Sequence, residues 1–160
     1  MIYESTSAEM TAELGRKIGK ALNPGDIICI DGNLGVGKTV FTQGVAEGLG
    51  ITESVCSPTF TLVQEYHEGR IPLYHFDVYR IGDIEEMYEM GYEEYFFGEG
   101  VSLVEWADMI EEILPRGSQG QPPMLPSKEL VAQLLLQQAK LPTQIGLSDI
   151  QLVGGLRDSA

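Results

Sequence analysis

Short apolar runs alternate with amphipathic stretches along the first 115 residues of the chain. Three runs rich in β-branched and aromatic residues predict buried strands, which we place at 26–31, 70–80 and 101–106. The second strand ends near Asp77 and the third at Glu105. Helical pieces separate the three runs, a pattern that favours a mostly parallel central sheet with flanking helices, the α/β class.

The amphipathic stretches predict the helices. Thr6 or Ser7 can cap a first helix, whose apolar face is Met10, Leu14, Ile18 and Leu22. Further helical segments are expected at 40–50, at 81–96 with a break at Gly91, and at 107–115, where a proline stops the helix. The segment 51–66 reads as a loop around Pro58 followed by a strand.

The last 45 residues differ in kind from the rest. They begin with a linker-like stretch, and Ser127 then caps one predicted amphipathic helix over 127–141. No strand is predicted in this part of the chain. We therefore expect a first domain over 1–115 and an atypical C-terminal tail over 116–160.

Charge and composition limit the function. The formal net charge is -14, and residues 1–115 hold 21 of the 24 Asp and Glu but 6 of the 10 Lys and Arg. An acidic body repels a nucleic-acid backbone, so we expect no direct DNA or tRNA binding. Without a signal peptide or a run of about 20 apolar residues, a cytoplasmic protein with no membrane contact is expected. The two cysteines lack metal-ligand spacing, and Cys29 reads as a small core residue.

The segment GNLGVGKT fits the eight-residue P-loop pattern and lies between a predicted strand and a predicted helix. Glycines let consecutive amide groups turn around a phosphate at a helix N-terminus. Lys38 would reach the β- and γ-phosphates, and the Thr39 hydroxyl would bind Mg²⁺. The predicted nucleotide-binding residues are Gly32, Asn33, Leu34, Gly35, Val36, Gly37, Lys38 and Thr39.

A site for Mg²⁺ and a nucleoside triphosphate also needs a carboxylate at the end of a neighbouring strand. Asp77 and Glu105 both occupy such positions, and in a parallel sheet both strand ends face the loop. One would hold the metal, directly or through water, and the other would position the attacking water or complete the metal's ligands. Residue pattern alone leaves the assignment open.

Each of several other residues near these strand ends has two possible roles. Ser57 and Thr59, held by Pro58, fit a switch-like loop that contacts Mg²⁺ or the terminal phosphate, or else a simple turn. Trp106 could stack on a base or a partner, or be partly buried. His75 is expected to be packed and hydrogen-bonded rather than catalytic, while Arg80 would contact phosphate or pair with the acidic helix.

Taken together, these segments resemble the bacterial TsaE (YjeE) ATPases of the tRNA threonylcarbamoyladenosine pathway. The resemblance covers about residues 3–115 and rests on GNLGVGKTVFTQGVAEGLGI, SPTFTLVQEY, GRIPLYHFDVYRI and EEYFFGEGVSLVEWADMIEEILP, in that order. The combination of SPTF, HFDVYR and VEW is far more specific than the P-loop.

The resemblance implies a P-loop fold and a weak ATPase that binds ATP with Mg²⁺. It implies partners, the TsaD and TsaB proteins, which transfer threonylcarbamoyl to a tRNA adenosine and which ATP hydrolysis would reset. Contact with tRNA would run only through them. Asp77 and Glu105 then match acidic positions tied to metal and hydrolysis, Trp106 matches the family's tryptophan at the nucleotide site, and Ser57, Pro58 and Thr59 match its switch-like loop.

The tail departs from the family pattern, in which short strands usually complete the sheet. We interpret it as a frameshifted or fused C-terminus, with a divergent natural extension as the alternative. The second candidate function is a small-molecule P-loop kinase, which would need an arginine-bearing lid in a chain with only five arginines. A regulatory GTPase is disfavoured because no N/T-K-x-D motif is present.

Overall fold

The computed structural model describes residues 5–114, and it describes residues 149–153 by their backbone. The helices are α1 (Ala8–Ala21), α2 (Lys38–Leu49), α3 (Glu85–Glu89) and α4 (Tyr92–Phe96). The strands are β1 (Ile27–Asp31), β2 (Val63–Tyr66), β3 (Leu73–Asp77), β4 (Val101–Glu105) and β5 (Asp149–Val153). No helix in these residues is long and apolar enough to cross a bilayer.

The strands form one sheet in the order β2-β3-β4-β1-β5. Its three central strands, β3, β4 and β1, are parallel, and β2 and β5 run antiparallel at the two edges. The parallel strands are the three predicted from apolar runs, so the α/β class with a parallel centre is confirmed.

Strand β5 lies in the tail, where no strand was predicted. It pairs with the whole of β1, from Ile27 opposite Val153 to Asp31 opposite Asp149. Five residues of mixed polarity are a weak signal for a strand. The strand forms because it pairs with the edge of β1, and that edge is present only once the sheet has folded. The predicted helix over 127–141 lies outside the described residues, and the boundary at 115 stays a prediction.

Side-chain alternation gives the sheet two apolar faces. One face packs on α1 and α2 and includes Ile28, Ile30, Leu73 and Leu103. The other packs on α3 and α4 and includes Ile27, Cys29, Phe76 and Val104. Both faces are covered, as a parallel sheet requires.

The first helix begins as predicted, since the Ser7 hydroxyl accepts a hydrogen bond from the Met10 amide. Leu14, Ile18 and Leu22 are buried, but Met10 is 49% exposed, so its assignment to the apolar face was wrong. Met10 lies in the first turn of α1.

The acidic segment 81–96 forms two short helices, separated at Gly91 with φ 73° as predicted. The helix predicted over 107–115 is instead a 3₁₀ turn at Ala107–Ile110. The Trp106 amide donates to the Ile30 carbonyl, and the Asp108 amide donates to the Asp31 carboxylate. These two bonds tie the start of the segment to β1 and favour a tight turn over a longer helix.

Candidate nucleotide-binding site

The glycine-rich loop connects the carboxyl end of β1 to the first turn of α2. Gly32, Gly35 and Gly37 have φ values of 138°, 80° and 95°, which side chains with a Cβ rarely adopt. At Gly35 a Cβ would meet no atom within 4 Å, so the requirement there is conformational. Gly37 is the N-cap of α2, and the helix therefore opens directly from the loop.

The loop is exposed at its tip and anchored at its base. Asn33, Leu34 and Gly35 are exposed, with Leu34 at 83%, whereas Val36 is buried. Thr39 is half-buried in the first turn of α2. This arrangement places the exposed tip of the loop and the half-buried Thr39 at the sheet's carboxyl edge, and a glycine-rich loop at a helix N-terminus favours an anionic ligand.

Lys38 folds back over its own loop. Its Nζ atom donates to the Gly32 carbonyl at 2.8 Å and to the Asn33 carbonyl at 2.9 Å, and it lies 3.9 Å from the centre of the Trp106 ring. Removal from water lowers the pKa of Lys38, while the carboxylates of Glu105, Asp77, Asp31 and Asp108 oppose that shift. The ammonium therefore sits in a field of four carboxylates, without a direct ion pair to any described residue.

Asp77 is 3% exposed and accepts three hydrogen bonds. Its Oδ2 atom accepts from the hydroxyls of Ser57 at 2.6 Å and Thr59 at 2.8 Å, and its Oδ1 atom accepts from the Tyr79 amide at 3.1 Å. Pro58, between the two hydroxyl residues, is buried. The loop 56–61 is thus tied to the strand carboxylate by charge-assisted bonds.

Glu105 lies beside Asp77 in the sheet, since the two residues are opposite each other in the pairing of β3 with β4. Glu105 is also 3% exposed, and its Oε1 atom is 2.9 Å from Nε2 of His75, which is fully buried. The prediction that His75 is packed and hydrogen-bonded agrees with this contact. Two carboxylates at adjacent strand ends place a concentrated negative charge next to the phosphate loop.

Aromatic side chains border the site. Trp106 has a left-handed backbone with φ 63°, and its ring lies 4.7 Å from the ring of Tyr79. Arg80 lies over the exposed ring of Phe60, with Cζ 4.8 Å from the ring centre, so among the described residues it pairs with neither an acidic helix nor Asp77. These contacts join the segment after β3 both to Trp106 and to the loop 56–61.

The side chains present fit a nucleotide with Mg²⁺. Among the described residues, no group of three His, Cys, Asp or Glu side chains could hold a metal ion alone. Mg²⁺ commonly keeps several waters and takes one or two protein oxygens together with substrate phosphates. The Thr39 hydroxyl and one carboxylate are such a set, and a glycine-rich loop at the N-terminus of α2 fits the phosphates.

All of the predicted site residues lie at one edge of the sheet, but two contributors were missed. Asp31 ends β1 as Asp77 and Glu105 end their strands, so the same signal could have found it. Tyr79 follows Asp77 by two residues, and only the folded structure shows that its ring lies on Trp106.

Known proteins are similar in sequence to most of the chain. A family model described as "Threonylcarbamoyl adenosine biosynthesis protein TsaE" matches residues 5–130. The tRNA threonylcarbamoyladenosine biosynthesis protein TsaE of Bacillus subtilis is 50% identical over 114 residues, which is 71% of each chain. The protein of that name from Treponema pallidum is 44% identical over 111 residues, covering 69% of this chain and 82% of its own.

A solved structure is also similar. The crystal structure of YdiB from Bacillus subtilis has 46% sequence identity to the chain and a TM-score of 0.61. The match covers 71% of this chain and 68% of that one. The match therefore covers most of the chain but does not extend over the whole of it.

Proposed function

The chain belongs to the TsaE family, and from that premise we propose that it is an ATP-binding, weakly hydrolysing component of the machinery that forms threonylcarbamoyladenosine in tRNA. Relatives that are 44–50% identical over 69–71% of the chain carry the name of that pathway. The observation that carries the ATPase part of the proposal is the meeting of Lys38, Asp77 and Glu105 at one edge of the sheet.

The loop and Lys38 bind the phosphates in this proposal. Amides of the loop and the N-terminus of α2 surround the β-phosphate, and Lys38 turns from the carbonyls of Gly32 and Asn33 to the β- and γ-phosphates. The Thr39 hydroxyl and a strand carboxylate would hold Mg²⁺, which would supply charge neutralisation to the phosphoryl group. Trp106 lines the site beside Lys38.

The carboxylates of Asp77 and Glu105 differ in the number of hydrogen bonds that they accept. Asp77 accepts three hydrogen bonds, two of them from the loop 56–61, so it links that loop to the site. Glu105 accepts one side-chain hydrogen bond among the described residues, from His75. Glu105 therefore has the greater free capacity to orient a water molecule or to bind the metal, and Asp77 couples metal and loop.

The partners follow from the family and from charge. We propose that the chain acts with the TsaD and TsaB proteins in the cytoplasm, and that hydrolysis resets their complex between turnovers. A net charge of -14 favours a basic protein surface over tRNA itself. Contact with tRNA would then run through those partners.

The test is hydrolysis of ATP by the purified chain, alone and with the TsaD–TsaB complex. We expect slow, Mg²⁺-dependent hydrolysis alone and stimulation by the complex, both of which Lys38→Ala abolishes. Phosphate transfer to a small metabolite, with no response to the complex, would favour the kinase instead. Absence of both ATP binding and hydrolysis would contradict the ATPase proposal.

A further inference from the structure

His75 is an imidazole placed inside an otherwise apolar face of the sheet. It is fully buried, and Leu73, two residues before it on β3, belongs to the core that packs on α1 and α2. On the neighbouring strand, Leu103 lies opposite His75 and Glu105 lies opposite Asp77. Strand alternation puts His75, Asp77 and Glu105 on the same face, with His75 one step deeper than the two carboxylates.

The ring has one hydrogen-bonding partner among the described residues. Its Nε2 atom is 2.9 Å from Oε1 of Glu105, whereas its Nδ1 atom is buried without a partner. A carboxylate can only accept hydrogen bonds, so the ring proton lies on Nε2. Nδ1 is then the nitrogen without a proton. Both the tautomer and the orientation of the ring are therefore fixed by Glu105.

This arrangement is a poor choice for stability alone. A buried polar group that satisfies only one of its two nitrogens loses hydration at the other. An aliphatic side chain of similar volume would avoid the loss at Nδ1, but it would leave the buried Glu105 carboxylate without its donor. The benefit of an imidazole here lies in what it does to Glu105.

We propose that His75 is a positioning residue: its Nε2–H group holds Oε1 of Glu105 and directs the second carboxylate oxygen to the reacting water or metal. The inference rests on the proposed ATPase function, because it gives Glu105 a fixed orientation for that reaction. The Glu105 side chain has three torsions to fix, and a misplacement of about 1 Å can reduce turnover about 100-fold.

The chain offers a matched set of variants. His75→Leu removes the donor and keeps a side chain of similar bulk, and His75→Gln restores an N–H donor on a flexible side chain. The control is His67→Leu, because His67 also lies 2.9 Å from a glutamate, Glu65, but is exposed and outside the site. Each variant is checked by its melting temperature before its kinetics are measured.

The kinetic result should separate positioning from binding. We expect His75→Leu to lower kcat about 10- to 100-fold with ATP affinity changed less than about threefold, His75→Gln to recover most of kcat, and His67→Leu to match the wild type. In a Glu105→Gln background, His75→Leu should have no further effect. A wild-type kcat in His75→Leu, or an equal loss in both backgrounds, would overturn the proposal.

Nitrogen NMR of the two imidazoles gives a readout that needs no turnover. We expect His75 as the Nε2–H tautomer with a slowly exchanging proton, and Glu105→Gln should shift its Nε2 signal while the His67 signals stay in place. An Nδ1–H tautomer, or no response to Glu105→Gln, would refute the inference even if the chain hydrolyses ATP. A wild-type chain without ATPase activity would refute the proposed function, while the NMR result would still decide the contact.

Discussion

At the scale of single residues, Lys38 has to exchange its partners in order to bind a phosphate. Its Nζ atom donates hydrogen bonds to two carbonyls of its own loop and lies over the Trp106 ring. These contacts satisfy the ammonium group, and they keep it within the electrostatic influence of Asp77 and Glu105. Phosphate oxygens would compete with two neutral carbonyls and one ring, which is an exchange that a charged ligand favours.

Trp106 should report this exchange, because it is the only tryptophan of the chain. Adding ATP should change the emission of Trp106 as Lys38 leaves the face of its ring. Lys38→Ala should alter the emission before any ATP is added and should weaken binding about 10- to 100-fold, equivalent to about 1.4–2.8 kcal/mol. The measurement is a fluorescence titration with ATP in the presence of Mg²⁺.

The matched control for this titration is Lys20→Ala, because Lys20 is exposed at the end of α1. It should titrate as the wild type does. The same emission change at the same ATP concentration in Lys38→Ala would mean that Lys38 does not contact the phosphates.

At the scale of elements, the P-loop helix is held in place by glycines. Gly15 and Gly19 of α1 face Gly44 and Gly48 of α2, and a Cβ on any of the four would collide with backbone atoms of the other helix. The two helices therefore approach each other as closely as their backbones allow. Because α2 begins at Lys38, this contact also sets the position of the phosphate loop over β1.

Gly44→Ala should destabilise the protein strongly, although it adds only one methyl group. The added methyl group would overlap the backbone of Ala12, which cannot move aside as a side chain would. Overpacking of this kind costs about 2 kcal/mol, a drop of about 5 °C in melting temperature for a chain of this length. Thermal unfolding followed by circular dichroism measures the drop.

Gly82→Ala is the matched substitution for comparison. A Cβ at Gly82 meets only the end of the flexible Glu86 side chain, at 3.2 Å, so the melting temperature should stay near that of the wild type. Equal melting temperatures for Gly44→Ala and Gly82→Ala would show that α1 and α2 are not packed backbone to backbone.

Local patterns predicted the elements whose signals lie within a few residues. The Ser7 cap, the break at Gly91 and the three apolar strands follow from capping chemistry, glycine conformation and side-chain period. The parallel order then brings Asp77 beside Glu105, so the two carboxylates were predictable as a pair.

Contacts between distant segments were not predictable in the same way. Nothing in the sequence around Ser57 and Asp77 says that a hydroxyl and a carboxylate twenty residues apart will bond. The contacts of His75 with Glu105 and of Tyr79 with Trp106 also depend on strand register. The 3₁₀ turn at Ala107–Ile110 replaced a predicted helix because the Asp31 carboxylate accepts from the Asp108 amide and the Ile30 carbonyl accepts from the Trp106 amide.

At the scale of the whole molecule, β5 makes β1, the strand before the phosphate loop, an interior strand of the sheet. Without β5, β1 would be an edge strand whose outer backbone groups face water. With it, β1 lies inside the sheet between β4 and β5. The strand that carries the P-loop is then fixed on both sides, so the C-terminal segment contributes to the position of the site through this backbone pairing.

Two truncations test this contribution of β5. A chain that ends at residue 153 keeps the strand, and a chain that ends at residue 148 loses it. The shorter chain loses the ladder to β1, worth about 3 kcal/mol for its hydrogen bonds, so we expect it to melt about 8 °C lower and to aggregate through the bared edge. The chain ending at 153 should behave as the full chain does in calorimetry and in size-exclusion chromatography. Equal melting of both truncations would show that β5 does not hold β1 in solution.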